Sequence, residues 1–391
     1  MCYTVKTQRL FDLDSYRFDF YATVLSCVAN GDGNFTVVLD KTAFFPEGGG
    51  QRCDLGTLGN ADVLDVQEKL GVICHTVSTL LDEGTEVYGR IDADTRLVRM
   101  QNHSGEHIVS GLVHKHFGYN NVGFHLSDGE MYFDFDGYLD RTALNMIEDE
   151  ANAIVWQDLP VTAYYPSSDK LAELEYRSKL DLTENVRIVQ IGDCDRCACC
   201  APHVRSTGEI GIIKLLDAIK YKGGTRIHAL CGRWALEDYR VRYTAIVAMS
   251  ARMSVKQHEV SVGFDHLLSE LDSKRAEIAT LNQKIIDLSI NSIKEGAKNL
   301  CFFFDELDTL NMRKLLNRAV LKCTGICGIF GGNDTDGYQF VIGRGSSDID
   351  LKAYASEISS ALLASGGGSS EMQQGKARAD ESTIRKYFEQ F

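Results

Sequence analysis

The rhythm of apolar positions changes along the chain, and each change marks a segment with its own architecture. Residues 21–28 and 35–39 are rich in β-branched and aromatic side chains, with the turn sequence Asn30-Gly31-Asp32-Gly33 between them. Further strands are expected at 57–66, 71–77 and 86–91, and short strands at this spacing predict a small β-barrel over residues 1–92. Inside that block lies Phe44-Phe45-Pro46-Glu47-Gly48-Gly49-Gly50-Gln51. Three glycines after a proline exclude an ordinary helix or strand interior.

The pattern then lengthens to a helical one. Leu97, Met100, Ser104, Ile108 and Leu112 recur at threes and fours within 94–117, and Gly118 stops the run. A hairpin around Asp128-Gly129 is expected over 124–135, and a second helix over 140–158, ended by Pro160. A strand over 186–191 runs directly into a cysteine cluster, and strands are expected at 210–215 and 225–230. Residues 93–254 therefore read as an α+β domain.

From Val260 the spacing becomes a heptad. Val260, Phe264, Leu267, Leu271, Ile278, Leu281, Ile285 and Leu288 alternate steps of four and three, with Lys274 filling one seam position. A coiled-coil helix over 255–297 is expected, its stripe buried against a partner helix of the same chain or against a second subunit. Residues 298–391 alternate strands (301–304, 325–330, 338–342) with helices (310–321, 350–363). They predict a small α/β domain, with a turn at Gly331-Gly332 and a Gly366-Gly367-Gly368 loop. The fold class is thus α+β, in four parts.

Composition narrows the setting. No apolar run is long enough to span a bilayer, and residues 1–10 lack the basic and apolar regions of a secretory leader. A cytoplasmic location is expected, with the 12 cysteines as reduced thiols. A formal net charge of −14 argues against indiscriminate nucleic-acid binding, so any such partner is recognised by a local patch. No Walker-type phosphate loop occurs, and no adenylate-forming domain is expected ahead of the β-rich block.

The chemistry concentrates in two places. His103 and His107 are four residues apart on the predicted helix, so both imidazoles leave one face. Cys199-x-x-x-His203 offers a thiolate and a third imidazole, and together the four would make a tetrahedral site suited to zinc, one ion per chain. Cys194-x-x-Cys197 competes as half of a structural zinc site. Glu106, next to His107, is a candidate acid–base group or else a solvated helix carboxylate. Gly48, Gly49 and Gly50 would let the backbone approach a ligand closely, or form a plain tight turn.

Three stretches, FFPEGGGQ (44–51), RMQNHSGEH (99–107) and ACCAPHV (198–204), resemble the editing domain of alanyl-tRNA synthetase and its free-standing relatives, the AlaX proteins. GTRIHALCGRWALEDY (224–239) resembles the segment that follows the metal motif there. The block ending in GGGSSEMQQG (366–375) resembles the C-terminal domain of the same synthetase. The resemblance implies His103, His107, Cys199 and His203 as zinc ligands, Gln51 as the loop glutamine and Thr42 as a threonine that reads the serine hydroxyl. It also implies Gly366, Gly367 and Gly368 as part of a tRNA-binding region. Cys200, Ala201 and Pro202 depart from the C-G-G-T-H found in many relatives.

The implied activity is hydrolysis of alanine tRNA mischarged with serine or glycine. Zinc would activate water or position the substrate amine. A non-catalytic tRNA-binding protein with a structural zinc, and editing of a threonine-type tRNA, stand beside it. A homodimer through the helical segment and C-terminal domain is a further expectation, and no membrane partner is expected.

Overall fold

The computed structural model describes residues 6–178 and 185–391; the first five residues of the stretch read for a leader lie outside the described residues. The chain separates into two compact units, Met1–Ile246 and Val247–Phe391.

The first unit opens with a closed six-stranded barrel. Its strands are β1 (Asp19–Ala29), β2 (Phe35–Leu39), β3 (Gly56–Leu58), β4 (Ala61–Lys69), β5 (Val72–Val77) and β6 (Glu86–Ile91), in the cyclic order β1-β2-β5-β4-β3-β6. The single strand expected over 57–66 is two strands, because Gly59-Asn60 turns the chain between β3 and β4. Alternation drives the closure: every second residue of β6 is buried, and Val87 and Ile91 join Phe20, Val24, Val37, Leu39 and Ile73 in one core.

Helix α1 (Ala93–Phe117) follows directly. The Asp92 side chain accepts a hydrogen bond from the Thr95 amide at 3.1 Å, and Gly118, at φ 71°, closes the far end in the left-handed conformation. Strands β7 (Asn121–Ser127) and β8 (Glu130–Phe135) form the hairpin around Asp128-Gly129. Helix α2 (Arg141–Trp156) is capped by the Asp140 carboxylate, which accepts from the Ala143 amide at 2.8 Å.

A small antiparallel sheet comes next: β9 (Val161–Tyr164), β10 (Ile188–Ile191) and β11 (Asp195–Ala198). The cysteine cluster is therefore partly a strand, since Gly192-Asp193-Cys194 turns the chain back along β10. Strands β12 (Ile213–Tyr221) and β13 (Gly224–Cys231) complete a four-stranded sheet in the order β12-β13-β8-β7. Ile108, Val109, Leu112 and Val113 of α1 pack with Met131, Phe133 and Ile227 of this sheet and with Leu144 and Ile147 of α2. Helix α3 (Gly232–Met253) leaves this core and spans the division between the units.

The second unit contains helix α4 (Val260–Ser292) and an α/β layer. Strands β14 (Leu300–Phe304), β15 (Ile326–Asn333), β16 (Gly337–Arg344), β17 (Ser365–Gly368) and β18 (Met372–Ala377) form a sheet in the order β14-β15-β16-β18-β17. Helix α5 (Thr309–Ala319) packs on one face with Ile286 and Ile290 of α4. Helices α6 (Ala355–Ala361) and α7 (Glu381–Gln390) cover the other.

Several expectations need correction here. Gly331-Gly332 is not a turn but lies inside β15, and Gly366–Gly368 is not a loop but the edge strand β17. The helix expected over 350–363 is confined to Ala355–Ala361. The heptad stripe of α4 buries nothing between Phe264 and Leu281: Phe264 is 55% exposed, Leu271 47% and Ile278 58%. No helix among the described residues is long and apolar enough to cross a membrane.

Candidate metal centre

Helix α1 carries Arg96, Arg99, His103 and His107 at steps of three and four, so all four leave one side of it. Arg96 is fully buried and grips Asp54, with Nε 3.0 Å from Oδ1; it also donates to the carbonyls of Ser15 and Ala43. Asp54 in turn accepts from the Phe45 amide at 2.7 Å. Arg99 donates to the carbonyl of Cys53 and to Asp128. Two buried arginines thus clasp both ends of the loop 45–54 and hold its glycines over the helix.

Within that loop Gly48 and Gln51 exchange two backbone hydrogen bonds, a tight turn, and the Leu126 amide donates to the Gly50 carbonyl at 2.8 Å. Gly50 sits at φ +83°, and a Cβ there would meet the Phe124 carbonyl oxygen at 2.3 Å. Only glycine fits this crossing of loop and strand. Gln51, carried to the end of the turn, is buried and accepts from His103 Nδ1 at 2.8 Å.

The second half of the centre comes from the loop after β11. Cys199 and Ala201 pack against the barrel core, and Arg187 donates to the carbonyls of both. This seating, with the chain passing Cys200, Ala201 and Pro202, brings the Cys199 sulfur within 3.4 Å of His203 Nε2 and 3.6 Å of His103 Nε2. Ligand atoms of His103, His107, Cys199 and His203 all lie within 4.8 Å of one another.

The outer nitrogens decide the tautomers. His107 Nδ1 donates to Asp195 at 3.0 Å, and His203 Nδ1 shares a hydrogen bond of 2.9 Å with the Ser104 hydroxyl, so that Nε2 is the nitrogen left for the centre. With the Gln51 amide oxygen behind His103, the Nδ1 atoms of His103 and His107 keep their protons, and each of the three Nδ1 atoms is engaged away from the centre, leaving Nε2 to face it. Asp195 is itself held by Arg177 at 2.7 and 2.9 Å. Burial alone would raise the Asp195 carboxyl, but His107 and Arg177 hold it below the usual range. Burial pushes the Cys199 thiol well up and, with the neighbouring histidines, lowers His203 far below its ordinary value. A thiolate at Cys199 therefore needs a cation beside it, while the His203 imidazole stays neutral. That donor set fits zinc.

The centre opens on a cavity of about 1280 Å³ whose wall includes Gly49, Gly50, His103, Glu106, His107, Asn121, Cys199 and Cys200. Glu106 is only 4% exposed, so it is not a solvated helix carboxylate. Its Oε1 accepts from the Ser110 hydroxyl at 2.5 Å and from the Asn121 amide, and its Oε2 is 4.0 Å from His107 Nε2.

Thr42 is placed differently. It is fully buried in the barrel, accepts from the Phe44 amide at 3.1 Å and lies 3.0 Å from His75 Nε2. It is not among the residues that line the cavity. Among the described residues no group of three or four cysteines converges. Cys194 packs on α1, burial pushing its thiol up to about 12, and Cys197 is grouped with His107 and Asp195. Gly366, Gly367 and Gly368 are exposed in the second unit.

Residues 186–228 match the family described as threonyl and alanyl tRNA synthetase second additional domain, and residues 21–95 match tRNA synthetases class II (A). Curated relatives include the alanine–tRNA ligase of Natronomonas pharaonis, 31% identical over 72% of this chain and 32% of that protein. That of Pyrococcus abyssi is 29% identical over 95% of this chain and 42% of its own length. The chain therefore spans between about a third and two fifths of these relatives. Among solved structures, the C-Ala domain from Aquifex aeolicus alanyl-tRNA synthetase matches 25% of this chain and 93% of its own, at 22% identity and a TM-score of 0.21.

Proposed function

We propose that this chain, which is related to the alanine–tRNA ligases, is a cytoplasmic trans-editing hydrolase that frees serine, and also glycine, from mischarged alanine tRNA. The observation that carries the reading is the set of three imidazoles with anchored Nδ1 atoms and one buried thiol, converging on a cavity wall. His103, His107, Cys199 and His203 would hold one zinc ion. Bound there, zinc supplies Lewis-acid polarisation of the ester or a fixed point for the amino group.

The rest belongs to the chain itself. Gln51, Asp195 and Ser104 hold the imidazoles so that Nε2 faces the centre. Gly49 and Gly50 let the 3′ end of the RNA approach the backbone closely. Glu106, locked by Ser110 and Asn121, accepts a proton from the substrate ammonium or the attacking water. Selection of alanine tRNA is assigned to the helical segment and to the C-terminal block with Gly366–Gly368, and the exposed stripe of α4 joins two copies. The working division is barrel 1–92, editing domain 93–254, helix 255–297 and C-terminal domain 298–391.

The test is deacylation of Ser-, Gly- and Ala-tRNA(Ala) by purified protein. Hydrolysis of the first two with Ala-tRNA(Ala) spared is expected. No hydrolysis of any of them would leave a tRNA-binding protein with a structural metal. A chain ending near Ser254 is expected to keep zinc but to need more tRNA for half-maximal rate.

A further inference from the structure

The tip of the β12–β13 hairpin stands out against the acidic whole. The stretch 214–228 carries Lys214, Lys220, Lys222 and Arg226 against one acid, Asp217, in a chain of net charge −14. Lys214 and Arg226 are spent on Glu148 and Asp134. Lys220, Lys222 and the neighbouring Arg141 are exposed, and no ion pair engages them among the described residues.

Aromatic rings are interleaved with these cations. Lys220 Nζ lies 5.3 Å from the ring centre of Tyr138, itself 58% exposed. Lys222 Nζ and the Arg226 guanidinium lie 5.1 and 3.7 Å from the ring centre of Tyr221. Between Tyr138, Arg141, Lys220 and Thr225 there is a pocket of about 160 Å³. Cations held over rings beside an open pocket suit the phosphates and bases of RNA.

Strand register ties this patch to the metal centre. Lys220 pairs with Thr225, Thr225 with Phe135, and Phe135 with Asn121 of the cavity wall. Three strand spacings amount to about 14 Å, the rise of about four stacked nucleotides.

We propose that Arg141, Lys220, Lys222 and Tyr138 form a docking surface for the phosphate backbone of the RNA strand whose 3′ end enters the cavity. This rests on the reading that the substrate is an RNA ester, but it is tested by binding rather than by hydrolysis.

The experiment measures affinity of the full chain for uncharged alanine tRNA between about 50 and 200 mM salt. Arg141→Ala/Lys220→Ala/Lys222→Ala is expected to weaken binding about tenfold or more at low salt and to reduce the slope of log K against log salt by about 2 to 3. Lys220→Arg/Lys222→Arg is expected to bind like wild type. Zinc content and thermal midpoint should match wild type in both variants, since all three side chains are exposed. An unchanged slope in the triple variant overturns the proposal, as does equal loss in the charge-conserving variant. A wild-type protein that binds tRNA with this salt dependence but hydrolyses no ester would defeat the editing reading and leave the docking surface standing. Hydrolysis with an unchanged slope would do the reverse.

Discussion

Helices α1 and α4 invert the usual relation between polarity and burial. α1 buries Arg96, Arg99, Asn102, His103, Glu106 and His107. α4, the longer of the two, leaves Phe264, Leu267, Leu271, Ile278 and Leu281 about half exposed. Buried polar groups are costly unless each has a partner, and on α1 the partners come from the barrel loop, the β7–β8 hairpin, β11, β13 and α1 itself. Such a network marks a site. An exposed apolar stripe marks a contact still to be made. The inversion teaches that a helix's periodicity shows where its face is, and only its surroundings show what that face is for.

The largest effect should come from emptying the polar face. His103→Ala/His107→Ala is expected to abolish zinc binding, read by elemental analysis, and to lower Ser-tRNA(Ala) hydrolysis by about 100-fold or more. Full zinc retention would move the metal to the cysteine cluster.

Next comes the clasp. Arg96→Met leaves Asp54 buried without its cation and should cost about 3–5 kcal/mol in urea unfolding. The same change at the exposed Arg275 of α4 should cost less than about 0.5 kcal/mol. Similar losses at both positions would erase the contrast between the helices.

A third test uses pH. Burial lowers His75 from 6.5 to about 4. The folded state therefore binds this proton less readily than the unfolded one. The stability it protects is complete above about pH 6.5 and is lost as pH falls toward 4, by about 3 kcal/mol in all. Chemical denaturation across that range should show this loss, and His75→Asn should flatten it. A variant with the wild-type slope would place the titration elsewhere.

The smallest effect on stability is expected on the apolar face. Leu267→Glu/Leu281→Glu should change the unfolding free energy of the separate chain by less than about 0.5 kcal/mol. It should nevertheless shift sedimentation toward the monomer. A large stability loss would mean that the stripe packs within its own chain.

How much of this could be read from residues alone depended on range. The His103–His107 pairing was legible because helical spacing is local, and α1 ends at Gly118 as its cap predicts. The barrel strands were legible from β-branched and aromatic runs set between turns, except where Gly59-Asn60 cuts one in two. Cys199 and His203 were legible as a ligand pair from residue type and spacing, with the resemblance implying the same set, while nothing local shows which distant helix they meet. Ser104, Arg177 and Asp195 were missed as supports because their partners are far away in sequence. Glu106 could not be told from a surface carboxylate without Ser110 and Asn121 around it. The resemblance implies Thr42 as the reader of the serine hydroxyl but carries no sign of its contact with His75, which is 33 residues away. Three glycines suggested a loop at 366–368, yet an edge strand tolerates them because β18 supplies the pairing.

The metal centre has a consequence for the unbound chain's freedom. His107 and Cys199 stand roughly ninety residues apart, and an ion held between them would tie a loop of that length shut. In the chain-entropy treatment used for crosslinks, closing such a loop removes about 4.6 kcal/mol of conformational freedom from the unfolded state. A chelator would act on this protein as a reductant acts on a disulfide, and protease resistance of residues 108–198 would report metal occupancy without any assay of catalysis.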